Sequence, residues 1–305
     1  MRILSIGECM VELSGAGDGL WRSGFAGDTL NTAWYLRALI PSEWQVDYFT
    51  VLGQDPVSEA MCEFIAAAGI GTGEIARHPS RSPGLYMITL AEGERSFTYW
   101  RDSSAARTLA DDAARLEAAC RAADAVYFSG ITLGILTPAA RGRLFAALTA
   151  ARAVGRQVIF DPNLRPRLWS DINEMCMATL AAAAHADVIL PSHDDEASHF
   201  GDATPQETAL RYLAAGAAEV LVKNGGAEMV LGRMGAAPVV LPALPRVTPR
   251  DTTGAGDSFN GGYLAARFAG RPPEAAVVHG HRVAMEVVGH PGALMPAELV
   301  RRAVG

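Results

Sequence analysis

Between residues 124 and 223 the chain alternates short apolar runs with helical segments, and this rhythm narrows the possible folds more than any other feature. Ala125–Ser129, Gln157–Asp161, 187–190 and 219–223 read as strands. Residues 138–154, closed by Gly155, then 172–184 and 204–215 carry helical spacing between them. Earlier, Arg2–Ile6 and 47–52 read as strands, and 56–68 as a helix with Met61, Phe64 and Ile65 on one face and Gly69 as its stop. Strands alternating with helices imply an α/β fold, with a mostly parallel sheet covered on both faces. In such folds ligands sit beyond the carboxyl ends of the strands.

One stretch departs from this pattern. Residues 84–90 and 95–101 flank Ala91-Glu-Gly-Glu94, a hairpin signal inside an α/β chain. Period-two alternation puts Phe97, Tyr99 and Arg101 on one face. The pattern alone leaves two readings open: a small lid over a ligand, or an ordinary hairpin with Tyr99 packed and Arg101 solvated.

Composition excludes several function classes. The 305 residues are half hydrophobic and carry a net charge of −7, which argues against a nucleic-acid binder using a broad basic surface. No apolar run approaches the about 20 residues that span a membrane, and Glu8 and Glu12 interrupt the signal-like start. Cys9, Cys62, Cys120 and Cys176 lie far apart and read as reduced thiols of a cytoplasmic protein. No Cys/His spacing points to zinc.

The segment Asp251-Thr-Thr-Gly-Ala-Gly-Asp257 carries the chemistry. A helical pattern follows it through Phe259, Tyr263, Leu264 and Phe268. Gly254 and Gly256 allow backbone conformations that a Cβ resists, and backbone N–H groups at the start of the helix would face one spot with the helix dipole behind them, an anion hole for a phosphoryl group. Asp257 beside that hole is placed to accept a hydroxyl proton, the pairing that phosphoryl transfer requires. Asp251 is a candidate for ordering water around a metal ion or the phosphates. The plain alternative is a glycine-containing loop in which Asp257 only stabilises the helix start. Neither a Walker loop nor a dinucleotide fingerprint is present.

The full string Asp251-Thr-Thr-Gly-Ala-Gly-Asp-Ser-Phe-Asn-Gly-Gly262 resembles the signature of the ribokinase-like (PfkB) carbohydrate kinases. So do Gly7-Glu8, Ala26-Gly-Asp-Thr-Leu-Asn-Thr-Ala33, Gly53-Gln-Asp55, Asp161-Pro-Asn-Leu-Arg165 and Val222-Lys-Asn-Gly-Gly226. The resemblance implies one three-layer αβα kinase domain over 1–305, with a small β lid from segments near 10–35 and 83–105. It implies ATP and Mg2+, Asp257 as base, and Gly254, Ala255 and Gly256 as the anion hole. On Gly84-Leu-Tyr86, Phe97-Thr-Tyr-Trp-Arg101 and Pro191-Ser-His-Asp-Asp-Glu196 the chain is most similar to members acting on 2-keto-3-deoxygluconate.

That similarity implies transfer of the ATP γ-phosphate to the 6-hydroxyl of this sugar acid, yielding 2-keto-3-deoxy-6-phosphogluconate. It puts Gly27, Asn31, Tyr86, Tyr99, Arg101 and Arg165 on the substrate, and Asn163, Ser192, Lys223, Gly225 and Gly226 on the nucleotide. Arg165 is open between sugar acid and ATP phosphate. The family's Asn-x-x-Glu stands here as Ser192-His-Asp-Asp195, which also reads as a helix capping box. Planar arginine is the natural partner of a carboxylate, and Arg101 and Arg165 favour a keto acid. The competing readings are a fructokinase or other neutral-sugar kinase, and a non-catalytic sugar- or nucleotide-binding regulator. An exposed lid sheet implies a homo-oligomer formed through the lid.

Overall fold

The computed structural model describes residues 1–91 and 94–304, so Glu92 and Gly93 of the expected hairpin turn lie outside the described residues. The strands are β1 (Arg2–Ile6), β2 (Met10–Gly17), β3 (Leu20–Ala26), β4 (Gln45–Leu52), β5 (Ile75–Arg77), β6 (Leu85–Ala91), β7 (Glu94–Trp100), β8 (Ala125–Ser129), β9 (Gln157–Asp161), β10 (Val188–Ile189), β11 (Glu219–Val222), β12 (Met229–Arg233) and β13 (Val239–Leu241). The helices are α1 (Asp28–Leu39), α2 (Pro56–Ala67), α3 (Ala113–Ala122), α4 (Gly130–Ile135), α5 (Pro138–Ala153), α6 (Ile172–Ala183), α7 (His193–Phe200), α8 (Pro205–Ala214), α9 (Ala255–Phe268), α10 (Pro273–Val287) and α11 (Ala297–Val304).

Among the described residues the main sheet has nine strands in the order β13-β12-β11-β10-β9-β8-β1-β4-β5. It is parallel from β5 to β11, and β12 and β13 add an antiparallel edge. Period-two alternation sorts its central strands between two cores. Leu4, Ile6, Val126, Phe128, Val158 and Phe160 face one helix layer. Ile3, Ala125, Tyr127 and Ile159 face the other. Phe128 and Phe160 are fully buried, with ring centroids 4.7 Å apart. Because both faces are apolar, these strands show as continuous apolar runs in the sequence.

A second sheet of four strands, in the order β3-β2-β6-β7, supplies the small β layer. Its inner strands β2 and β6 run parallel, and each has an antiparallel partner. The first lid segment stops at Ala26, short of the expected residue 35. Asp28 onward forms α1, which packs against α9 in the body.

The chain leaves β1 first for β4 on one side and later for β8 on the other. This reversal opens a crevice at the carboxyl ends of the central strands. Helix α9 lies between α1 and α10 with its N-terminus at that crevice.

Candidate active site

A cavity of about 810 Å³ fills the crevice, with the lid on one wall and the start of α9 on the other. It is lined by Gly27, Asn31, Tyr86, Tyr99, Arg101, Asn163, Arg165, Ser192, Lys223, Gly254, Ala255, Gly256 and Asp257, all named from the sequence. Phe97 joins Tyr99 and Arg101 on the same wall, as the alternation predicts.

Asp257 lies in the first turn of α9. Its Oδ2 accepts a hydrogen bond of 2.8 Å from Nδ2 of Asn31 on α1. Asn31 in turn accepts from the N–H of Gly27 through Oδ1, at 3.3 Å. Asn31 therefore fixes the orientation of the carboxylate. Burial, followed by the charge of Asp28, pushes the Asp257 carboxyl up to about 7. A carboxylate that exchanges its proton near neutrality is suited to general-base work.

The turn ahead of α9 packs closely against the loop at Ala293. Gly254 caps the helix with φ 76°, and a Cβ there would stand 2.6 Å from the carbonyl oxygen of Ala293. Ala293 is itself fastened to α1 by the Tyr35 hydroxyl, which donates to its oxygen at 2.6 Å. Two sequence-based roles change here. The N–H of Ala255 donates to the Thr252 oxygen at 3.2 Å, so it is engaged in the turn rather than offered to an anion. Asp251 does not line the cavity; its carboxylate accepts the N–H groups of Thr253 at 3.0 Å and Gly292 at 2.6 Å, which ties the two loops together.

On the sheet side, Lys223 reaches Asp161 at 3.2 Å and Oδ1 of Asn260 at 3.1 Å. Asn260 also donates to Asp161, at 2.6 Å. Asp161 and Asn260 form a buried knot that was not anticipated from the sequence. Asn260 follows Asp257 by one helical turn, so a fully buried amide inside an apolar helix was the available signal. Asn163 donates to Asp28 at 2.7 Å, and burial raises the Asp28 carboxyl.

The expected capping by Ser192 does not occur. Ser192 begins α7 without a side-chain cap, because its backbone still pairs with Lys223 and the N–H of His193 donates to the Lys223 oxygen at 2.9 Å. Asp195 lines the cavity 3.6 Å from Arg165. Gly225 and Gly226 stand outside the cavity walls, in the turn between β11 and β12.

The lid wall is already hydrogen-bonded. The Tyr86 hydroxyl donates to Glu12. The rings of Tyr86 and Tyr99 are 5.8 Å apart, and the Arg101 guanidinium lies 5.7 Å from the Tyr99 ring centre. Arg101 donates through Nε at 3.0 Å and through Nη2 to one oxygen of Glu8, while Ser104 donates to the other. Glu8 is 1% exposed and was not anticipated as a partner. At the foot of the lid, a Cβ on Gly27 would fall 2.1 Å from the Glu8 carbonyl oxygen. Arg167, also not anticipated, lines the cavity with its side chain exposed.

The match to known proteins covers the whole architecture. The model of the pfkB family carbohydrate kinases matches residues 1–298. The chain belongs to this family. The 2-dehydro-3-deoxygluconokinase of Dickeya dadantii (strain 3937) is 42% identical over 302 residues, covering 97% of both chains. The enzyme of the same name from Escherichia coli (strain K12) is 39% identical over 303 residues, covering 97% of this chain and 98% of its own. A solved structure of a putative ribokinase II from E. coli, in complex with ATP and Mg2+, superposes with a TM-score of 0.84 at 22% identity. It covers 99% of this chain and 98% of its own. As a member of this family the chain is an ATP-dependent carbohydrate kinase. Among the described residues no helix is long and apolar enough to cross a membrane.

Proposed function

We propose that this kinase transfers the γ-phosphate of ATP to the 6-hydroxyl of 2-keto-3-deoxy-D-gluconate, also called 2-dehydro-3-deoxygluconate, with Asp257 as the base. The observation that carries the reading is Asp257 held by Asn31 at the mouth of α9, with a carboxyl raised to about 7. The near-full-length relatives of that name support the substrate.

In the proposed step the hydroxyl oxygen attacks the γ-phosphorus, the bond to the β-phosphate oxygen breaks, and ADP leaves. The hydroxyl proton passes to Asp257. The N-terminal turn of α9 stabilises charge on the transferring group. A base beside a phosphate site favours an enzyme over a non-catalytic binder.

Asn163, Ser192, Lys223 and Arg165 are assigned to the nucleotide side, on the strand ends from β9 to β11. Gly27, Tyr86, Tyr99 and Arg101 are assigned to the sugar acid under the lid. Among the described residues no three His, Cys, Asp or Glu side chains form a metal cage. Mg2+ needs none, since it keeps several waters and binds through one or two carboxylates plus phosphates. Asp195 on the cavity wall fits that demand better than Asp251. When bound with ATP, Mg2+ would neutralise phosphate charge.

The exposed Leu20, Trp21 and Trp100 lie on the edge strands of the lid sheet, and a second copy of this chain is proposed to cover them. A cytoplasmic location agrees with four free cysteines. A coupled assay of ADP release with 2-keto-3-deoxygluconate, fructose and ribose tests the substrate. Equal or better turnover of a neutral sugar would overturn it.

A further inference from the structure

We propose that Asn260 is a positioning residue for phosphoryl transfer: it holds the ammonium of Lys223 beside the first turn of α9, at the phosphate end of the cavity. This rests on the reading above that assigns Lys223 to the nucleotide side. Asn260 is 0% exposed, inside a helix whose other buried residues are mostly apolar or small. Its amide uses every group it has. Nδ2 donates to Asp161 at 2.6 Å and to the Tyr127 hydroxyl at 3.2 Å, and Oδ1 accepts from the Lys223 ammonium at 3.1 Å. An aliphatic side chain would offer Lys223 nothing, and a carboxylate would repel Asp161.

The surroundings of the ammonium give this contact its direction. Of its three N–H donors, Asp161 takes one at 3.2 Å and Asn260 a second. The third has no protein acceptor among the described residues, and Lys223 lines the cavity. Nζ lies 3.8 Å from the place of a Cβ on Gly256. Gly256 precedes Asn260 by four residues, so the two share a face of α9 one turn apart. The glycine leaves the ammonium room at the helix start, and the amide one turn on keeps it there.

Asp161 does not depend on Asn260 in the same way. Its Oδ1 accepts the N–H of Asn163 at 3.1 Å, and its Oδ2 would keep Lys223. The shorter of the two side-chain bonds to Oδ2 is the amide's, so the carboxylate is satisfied without drawing the ammonium fully onto it. Without Asn260, a flexible four-carbon stem would be anchored at Asp161 alone and free to swing about that contact.

The test is a double-mutant cycle of Asn260→Ser and Lys223→Gln, with kcat and KM for ATP and 2-keto-3-deoxygluconate, and sugar-acid affinity by calorimetry without nucleotide. Loss of a charge-assisted hydrogen bond predicts that Asn260→Ser lowers kcat/KM for ATP roughly ten- to hundredfold. Sugar-acid affinity stays within about twofold of wild type. Because Asn260 acts through Lys223, the double variant loses no more than Lys223→Gln alone. Asn260→Leu repeats the cycle with a side chain of similar volume. Tyr127→Phe is the control for stability: it strips one partner from the same amide and leaves turnover near wild type. Losses that multiply in the double variant, near-normal turnover of Asn260→Ser, or a fall in turnover of Tyr127→Phe as large as that of Asn260→Ser would overturn the assignment. If Lys223→Gln itself turns over normally, the nucleotide-side reading of Lys223 fails and the inference fails with it. If Lys223→Gln is impaired and Asn260→Ser is not, the inference alone fails.

Discussion

Asn31 and Asp257 meet across 2.8 Å, although 226 positions separate them in the chain. The contact joins the start of α1 to the start of α9. It gives the proposed base its orientation, and it favours the charged form of a carboxylate that burial disfavours.

Asp257→Asn retains a side chain of similar shape but cannot accept the proton. It should bind ATP with near-normal affinity and lose about 10²–10⁴ in kcat. Equilibrium nucleotide binding alongside steady-state turnover checks this. Near-normal turnover would remove Asp257 from its role.

The pH profile follows from the raised carboxyl. Asp257 acts only when deprotonated, so kcat/KM should climb as pH rises through about 7 and level off above it. The Asn31 amide lowers this value, so Asn31→Ala should move the rising limb to higher pH. The charge of Asp28 raises it, so Asp28→Asn should move the limb to lower pH. Profiles that coincide for all three proteins would exclude this coupling.

Arg101→Ala should destabilise the fold as well as the site, because it leaves Glu8 buried with Ser104 as its remaining partner. Breaking such a pair costs about 3–5 kcal/mol. Urea denaturation measures it, and the double variant Glu8→Gln with Arg101→Met should recover much of the loss. A double variant no more stable than Arg101→Ala would refute the account.

Gly254→Ala places a Cβ on a left-handed residue, against the Ala293 oxygen. A loss of about 1–3 kcal/mol is expected, together with weaker ATP binding. Thermal melts and nucleotide titration report the two effects separately.

If a second copy covers the lid, Trp100→Glu should shift the sedimentation coefficient towards that of a single chain. A wild type that already sediments as a monomer at micromolar concentration would exclude lid-mediated association.

Much of the fold could be read from the sequence, for physical reasons. Strands such as β8 and β9 are apolar on both faces, and helix boundaries at Pro56, Pro138 and Gly155 have local causes. The pair β2 and β3 was not read, because Gly15, Gly17, Gly19 and Gly24 break its alternation and its outer residues are exposed. The segment 254–257, proposed as the phosphate site and base, was legible because its residues are contiguous. The knot of Asp161, Lys223 and Asn260 was not, since its members lie on β9, at the end of β11 and inside α9. Glu8 and Arg101 stand 93 positions apart, and only folding brings them together. That contact gives Arg101, a candidate carboxylate receptor from the sequence, a carboxylate partner within the protein.

Gly27 and Gly24 sit three residues apart at the foot of the lid under opposite obligations. At Gly27 the backbone of Glu8 occupies the place of a side chain; around Gly24 the space is open. As relatives diverge, Gly24 is free to drift to any residue that suits a strand. Any side chain at Gly27 must push the start of α1 away from the segment at Glu8, so selection should hold the glycine fixed even where the lid has diverged.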